Sequence, residues 1–373
     1  MFAPTFDPAP FQNAIDLIES NRWLVDNMLI MPRHEAHIHR NVRVARASAT
    51  TRIEGATLDE ADVNALIKKG RPGKLTDDEQ INLNAVQVYE FVDYLSDQSD
   101  IPINELVIRE MNRVFLRNMP ETLTPGVYRK GQNKVGTTYD PPDQGSVPAL
   151  MRDFATWLES DEEIHPIFKA GIAHIHLVAI HPFWDGNGRT ARALTTLILQ
   201  RSQGFAFKKL LSLEAFTLAI RTQYLDAIEK ALGSSYSSDY NLVAWLDFFT
   251  YSLSAHTVAL TQELTDWHRK MEGVYAAMEK LDINHRQADA LAFAVQTGQI
   301  TRADYLDITG ISPVTASREL KRLVESGFLN AEGKTRSRIY RFALEQPGLE
   351  SAPTPEQMRL FDANEKGVSK KAK

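Results

Sequence analysis

The sequence predicts a mainly α-helical protein with a small β-hairpin in its middle and a winged helix-turn-helix toward its C-terminal end. Three observations predict it. Long stretches repeat apolar residues at three- and four-residue spacing, the period of a helix with one buried face. That period breaks between Thr124 and Ala149, where TPGVYRKGQNKVGTTYDPPDQGSVPA is rich in Gly, Pro and polar residues and holds short β-prone pieces such as NKVGTTY. Farther on, ITRADYLDITGISPVTASRELKRLVESGFL reads as helix, turn, helix, and NAEGKTRSRIYRF as two strands around a Gly-Lys turn.

The elements follow in order. A helix around His37 to Ile53 ends near Glu54-Gly55, and Gly55 suits the left-handed position after a helix. Thr57-Leu-Asp-Glu60 has the form of a capping box opening a short helix that stops at Gly70. Ile81, Val88, Phe91, Val92 and Leu95 share one helix face; Asn104 to Met119 repeats the pattern with Leu106, Met111, Val114 and Phe115 on the apolar side. Helices are expected from Val147 to Leu158, from Pro166 to Ile180, and from Leu213 to Leu281 with an interruption at GSSYSSDY, residues 233–240. In the C-terminal motif Gly310 takes the turn, Ser312 the N-cap and Pro313 the first helical position. After Glu345 the chain turns Pro-, Glu- and Lys-rich, as a disordered tail does. The expected division is a helical region 1–95, a core domain 96–232, connecting helices 233–284, the winged helix 285–345 and the tail 346–373.

Composition narrows the chemistry. The 373 residues are 43% hydrophobic, enough for a sizeable core and more than one domain. With no cysteine, disulfides, thiolate zinc sites and cysteine nucleophiles are excluded. A net charge of -6 argues against a generic polyanion binder. No apolar run approaches the ~20 residues that span a bilayer, and MFAPTFDPAPFQNAIDL lacks the design of a signal peptide. The expectation is a soluble, cytoplasmic protein without a membrane partner. HEAHIHR at 34–40 is not HExxH, because its second histidine follows the first by three residues, so it reads as a polar helix face. His174 and His176 point in different directions from one helix and read as packing or hydrogen-bonding residues.

The chemistry concentrates in residues 181–192, HPFWDGNGRTAR. Asn187 reads as the N-cap of a helix continuing through TARALTTLILQR, so Gly186-Asn187-Gly188 forms a flexible turn at a helix N-terminus, where free N–H groups attract an anion. Arg189 and Arg192 sit on neighbouring turns of one face and can grip successive phosphates. Asp185 can hold a divalent metal that bridges those phosphates, since magnesium takes one or two carboxylates with phosphate oxygens. His181 can act as a general base near neutral pH. Together these describe a triphosphate site with a base aimed at an incoming hydroxyl. It is not a P-loop, because GxxxxGK[ST] is absent.

HPFWDGNGRTAR resembles the HPFx[DE]GNGRxxR motif of the Fic family of protein adenylyltransferases, with every defining position filled. PGVYR at 125–129, DPPDQGSVPALM at 140–151 and the AHIHLVAI lead-in extend the likeness, which covers roughly residues 10–285. The chain departs from the pattern at Met111-Asn112, where relatives often carry a histidine, and in a short flap.

The resemblance implies a helical core with a hairpin flap near Lys134 to Tyr139, and transfer of AMP from ATP to a Ser, Thr or Tyr hydroxyl of a protein. It implies His181 as the base, Asp185 on magnesium or manganese, and an ATP site of Gly186, Asn187, Gly188, Arg189, Thr190, Ala191, Arg192 and Tyr224. Phe183 would anchor the loop. Thr50-x-x-x-Glu54-Gly55 resembles the family's inhibitory [ST]xxxE[GN] motif, whose glutamate competes with phosphate for Arg192. The implied partners are target proteins, the chain itself among them, and a second copy in a homodimer. Two other readings stand beside this one. The same site would remove AMP, with Glu54 positioning a water, or the chain would be a DNA-binding regulator whose core senses nucleotide. For the latter, Thr315, Ser317, Arg318 and Lys321 would face the major groove, with Arg336 and Arg338 near phosphates. Residues 285–345 hold nine Lys and Arg against seven Asp and Glu, a modest charge for that role.

Overall fold

The computed structural model describes residues 2–28, 32–70, 73–136, 139–160, 164–202, 204–281, 283–333 and 338–343. They form two compact units, one made of the residues up to 28 and residues 36–258, the other of residues 32–35 and those from Ala259 on. The expected tail and Arg336 lie outside the described residues.

In the first unit the helices are α1 (Gln12–Asn27), α2 (Pro32–Ile53) from Ala36 on, α3 (Glu60–Lys69), α4 (Asp77–Ser96), α5 (Glu105–Phe115), α6 (Val147–Leu158), α7 (Pro166–Ile180), α8 (Asn187–Arg201), α9 (Leu213–Ala219), α10 (Arg221–Leu232) and the first part of α11 (Leu242–Leu281). α7 and α8 form the centre. Nearly every residue of both is buried; α7 is apolar on most faces, whereas α8 also buries Asn187, Arg189, Thr190, Arg192, Thr195 and Thr196. They pack on each other, with α4 and α5 against α8. α7 comes close to α11 at Gly171, where an added methyl would lie 2.7 Å from the Phe249 ring. Trp245 Nε1 donates to the Gly171 carbonyl at 2.7 Å.

Several local expectations shift. The capping box opening α3 is Asp59 with Asp62, not Thr57 with Glu60. The Thr57 hydroxyl and N–H both go to Asp78 Oδ2 on α4, at 2.6 and 3.0 Å, which leaves Asp59 to cap. Leu106 is 71% exposed, because α5 buries the face made by Val107, Ile108, Met111, Val114 and Phe115, centred about 140° round the helix from it. Asn187 is the first residue of α8, and the cap position belongs to Gly186. Of the expected flap hairpin the described residues show one antiparallel bridge, Val135 with Tyr139. The flap base is tied elsewhere, since Asp140 pairs with Ser235 just after α10.

The second unit holds the end of α11, then α12 (His285–Thr297), β1 (Gln299–Thr301), α13 (Arg302–Thr309), α14 (Pro313–Glu325), β2 (Leu329–Glu332) and β3 (Ile339–Phe342). The strands form an antiparallel sheet of order β1-β3-β2, with Tyr340 opposite both Ile300 and Ala331. β1 falls where the sequence reads as the start of a helix; Thr301 caps α13, so the helix begins only after it. The core comprises Leu291, Ile300, Tyr305, Leu320, Leu323 and Phe328 among others. Among the described residues no helix is long and apolar enough to cross a membrane.

Candidate active site

The site occupies the turn between α7 and α8. α7 ends at Ile180, and His181 takes the left-handed conformation with φ 49°. A non-glycine residue there is strained by about 1 kcal/mol and has to be held by its surroundings. Arg129 holds it. This buried arginine donates from Nε to the His181 carbonyl at 2.9 Å, its backbone N–H donates to the Pro182 carbonyl at 2.9 Å, and Nη2 donates to the Pro142 carbonyl. Phe183 is fully buried and plugs the turn into the core. Asn187 folds its amide back on Phe183, accepting from the backbone N–H and donating to the carbonyl at 2.9 Å each.

A second brace comes from α5. Fully buried Asn112 accepts from the Gly126 N–H and donates to the Asp185 carbonyl, each at 2.9 Å. It thereby ties the Pro-Gly turn to the 181–192 loop. Sequence reasoning noted Asn112 only as a departure, and PGVYR was the only signal for Arg129.

His181 is half-buried, and its Nδ1 lies 3.4 Å from the Val178 carbonyl. Burial pulls its pKa down to about 4, against a smaller upward pull from that carbonyl, so the imidazole is neutral at pH 7. A neutral imidazole is what a general base requires.

α8 begins at Gly186, with φ 77° and no side-chain cap. Its first three N–H groups, on Asn187, Gly188 and Arg189, therefore have no acceptor within the helix; the first helical bond is Thr190 N–H to the Gly186 carbonyl at 2.9 Å. The Thr190 hydroxyl goes to the same carbonyl at 2.8 Å, and Ala191 is fully buried, so the side chains of both serve the interior of α8. Arg189 has one bond, from Nη2 to Asp185 Oδ2 at 2.8 Å. Its Nε and Nη1 are buried with no partner. Two guanidinium donors without a partner beside an uncapped helix N-terminus are groups whose chemistry suits an anion.

Arg192, one turn on, has a partner at each of its three nitrogens instead. Nε donates to Thr50 Oγ1 at 2.9 Å, Nη2 to the Thr50 carbonyl at 3.1 Å and to Glu54 Oε1 at 2.7 Å, and Nη1 to the Tyr224 hydroxyl at 3.4 Å. Tyr224 is itself buried, so it braces Arg192 from the core side. Burial pushes the Glu54 carboxyl up, but the Arg192 guanidinium outweighs it and holds the group below its ordinary range. The Glu54 side chain is 43% exposed, so it stands at the rim with one oxygen on the arginine. A methyl on Gly188 would lie 2.6 Å from Glu54 Oε1, which puts the carboxylate against the helix N-terminus.

For a metal, the described residues offer no group of three or more carboxylates and histidines. Asp185 is 43% exposed at the rim, with Oδ1 on the Gly186 N–H at 2.6 Å and Oδ2 on Arg189. One carboxylate beside a phosphate site fits magnesium, whose remaining ligands are phosphate oxygens and water. His174 Nε2 meets the Tyr224 hydroxyl at 2.9 Å and His176 Nδ1 the Tyr240 hydroxyl at 3.2 Å, so both are hydrogen-bonding residues of the interior. The side chains of His34, Glu35 and His37 lie outside the described residues.

Compared with known proteins, residues 102–199 match the Fic/DOC family. Glu54 and Tyr224 fall outside that stretch. The protein adenylyltransferase fic-1 of Caenorhabditis elegans is 38% identical over 160 residues, 41% of this chain and 31% of that protein. The protein adenylyltransferase Fic of Drosophila melanogaster is 33% identical over 155 residues, 40% of this chain and 31% of that protein. This chain thus spans about a third of the length of the curated relatives it matches. Among solved structures, a Fic family protein from Desulfovibrio desulfuricans G20 shares the fold, with TM-score 0.58 at 21% identity over 92% of this chain and 99% of that one. A Fic-1 fragment from C. elegans gives TM-score 0.55 at 26% identity over 69% of this chain and 73% of that one.

Proposed function

We propose that this chain transfers AMP from ATP to a hydroxyl side chain of a protein, and that Glu54 holds the site closed by occupying Arg192. The observation that carries the reading is the contrast on α8, where Arg189 has two buried nitrogens without a partner and Arg192, one turn away, has a partner at every guanidinium nitrogen. The uncapped N-terminus of α8 and Arg189 receive the phosphate chain. The target hydroxyl gives its proton to neutral His181, and its oxygen bonds to the α-phosphorus. The bond from that phosphorus to the bridging oxygen breaks, and pyrophosphate leaves. Positioning and charge stabilisation dominate such transfers, so the braces from Arg129 and Asn112 matter as much as the base. Asp185 would hold magnesium, which supplies charge neutralisation on the phosphates. While Glu54 occupies Arg192, the γ-phosphate lacks one of its two arginines and ATP does not seat productively.

We infer further that residues 285–345 are a winged helix. The order α12, β1, α13, α14, β2, β3 and the sheet order β1-β3-β2 support this. Arg318 and Lys321 are exposed on α14, while the Ser317 hydroxyl is spent on the Pro313 carbonyl at 2.9 Å. A salt-dependent shift of duplex DNA by the full chain would support DNA as a partner of this unit.

Intact mass after incubation with ATP and magnesium tests the main reading on wild type, Glu54→Gly, and Glu54→Gly with His181→Ala. AMP adducts should be abundant on Glu54→Gly, sparse on wild type and absent from the double variant. No incorporation from labelled ATP, into the chain or into lysate proteins, would overturn it.

A further inference from the structure

Every residue from His181 to Arg192 is buried or half-buried except Trp184, which is 36% exposed. Exposure alone gives a single aromatic side chain no role, since scattered surface hydrophobics are ordinary. Its position does. The indole lies against Gly131, where an added methyl would stand 3.0 Å from Trp184 Cη2 and 3.4 Å from Cζ2. The Gly131 backbone does not itself call for glycine, because its φ is outside the left-handed region. What glycine supplies there is room for the ring.

Arg129 ties this contact to the base. Its Nη1 donates to the Gly131 carbonyl at 3.2 Å and its Nε to the His181 carbonyl at 2.9 Å. One buried guanidinium thus spans the residue under the indole and the residue that takes the proton. The anion side has other neighbours. The atoms nearest a methyl at Gly186 or Gly188 belong to Asn112, Arg189, Leu116, Glu54 and Arg192, and none to Trp184. The indole stands by the base and off the phosphate groups.

A hydroxyl that reaches His181 arrives on a polypeptide, and the side chains beside it meet whatever stands at the rim. Trp184 offers them a broad, rigid, apolar face. Lys130 is exposed next to Gly131 in the chain, and Lys134 three residues on is exposed too. Both are basic, so a cation beside the hydroxyl is disfavoured by like charge. An aromatic or branched aliphatic side chain fits the indole and meets no such penalty.

We propose that Trp184 determines target specificity by receiving an aromatic or branched aliphatic side chain next to the modified hydroxyl. This rests on the adenylyltransferase reading and adds the kind of protein segment that the site accepts. Trp184 acts on the target, and the start of α8 with its two arginines acts on the nucleotide.

The test uses labelled ATP and a mixture of peptides with a central Ser, Thr or Tyr and varied neighbours, on the full chain in the Glu54→Gly background. Glu54→Gly should enrich peptides with an aromatic or branched aliphatic neighbour. Adding Trp184→Ala should lower that enrichment about fivefold, the worth of one aromatic contact, and Trp184→Phe should keep most of it. The Kd for a non-hydrolysable ATP analogue should change less than about twofold in either. Unchanged enrichment without the indole overturns the proposal, as does enrichment of charged neighbours, or a weakened ATP analogue. So does labelling of the chain itself or of lysate proteins with no peptide labelled, which leaves the transferase reading standing. No labelling of anything overturns both. Melting curves show that each variant is folded; should Trp184→Ala not fold, Gly131→Ala crowds the ring at 3.0 Å and should lower the same enrichment.

Discussion

α8 and α14 begin alike in sequence and differently in structure. Each follows a glycine-containing turn and carries basic residues in its early turns. α14 is closed at its start: the Ser312 hydroxyl accepts the Thr315 N–H at 3.3 Å, and Pro313 brings no N–H to satisfy. α8 is open at its start. Gly186 offers no side chain, Asn187 spends its amide on Phe183, and Gly188 leaves the space that Glu54 fills. A helix N-terminus is left open to an anion where the sequence withholds the cap and the fold leaves a buried arginine short of partners. Where a serine stands in the cap position the same geometry is only a helix start.

The two units should also part in acid, and this is the largest effect expected. Buried His174 and His176 and half-buried His256, all in the first unit, have pKa values lowered by desolvation to about 3, 3 and 4. Unfolded histidine titrates near 6.5, so below that pH the unfolded chain binds more protons than the folded one. The stability they leave intact above about pH 6.5 is lost as pH falls toward those lowered values. His268 and His285 in the second unit are exposed. Hydrogen exchange at pH 7 and pH 5 should show α7 and α8 losing protection while α12 and α14 keep theirs. Uniform loss would remove this distinction.

The catalytic contrast comes next. His181→Ala in the Glu54→Gly background should lower AMP transfer at least about 100-fold, the range for a general base, with nucleotide affinity unchanged. Label incorporation and a binding titration read the two separately. Because the His181 pKa is held near 4, transfer by Glu54→Gly should stay flat from pH 8 to 6 and fall only below about pH 5, as the base protonates.

Arg189→Leu tests the open arginine. Charge-assisted hydrogen bonds contribute about 1.5–3 kcal/mol, so ATP affinity should fall roughly ten- to hundredfold. The unliganded protein should melt no lower, because a buried guanidinium with two unfilled donors is exchanged for an apolar side chain. Lower stability together with unchanged affinity would mean that Arg189 is structural.

Much of this was legible in the sequence. The bounds of α6 and α7 follow from apolar spacing, and HPFWDGNGRTAR named His181, Asp185, Arg189 and Arg192 together. What was not legible depends on distance across the chain. Thr57 was read as a cap because its competitor, Asp78 on α4, is not a local feature. Asn112 reveals itself only once folding brings Asp185 to it. Periodicity could not place Leu106, which sits in the first turn of α5 where the buried face has just begun. Tyr224 was assigned to the nucleotide by likeness, and what spacing could not show is that its hydroxyl faces Arg192.

The smallest effect belongs to the capped helix. Ser312→Ala removes the acceptor for the Thr315 N–H and should destabilise the second unit by about 1 kcal/mol, the usual value of an N-cap. Exchange in α14 should speed up, while nucleotide binding and AMP transfer by the first unit stay as they were. Ser312→Gly should cost only a few tenths of that, since glycine tolerates the cap backbone and leaves the N–H to water. If Ser312→Ala instead changed ATP affinity, the start of α14 would be part of the nucleotide site. The difference between a closed and an open helix start would then no longer explain where the anion goes.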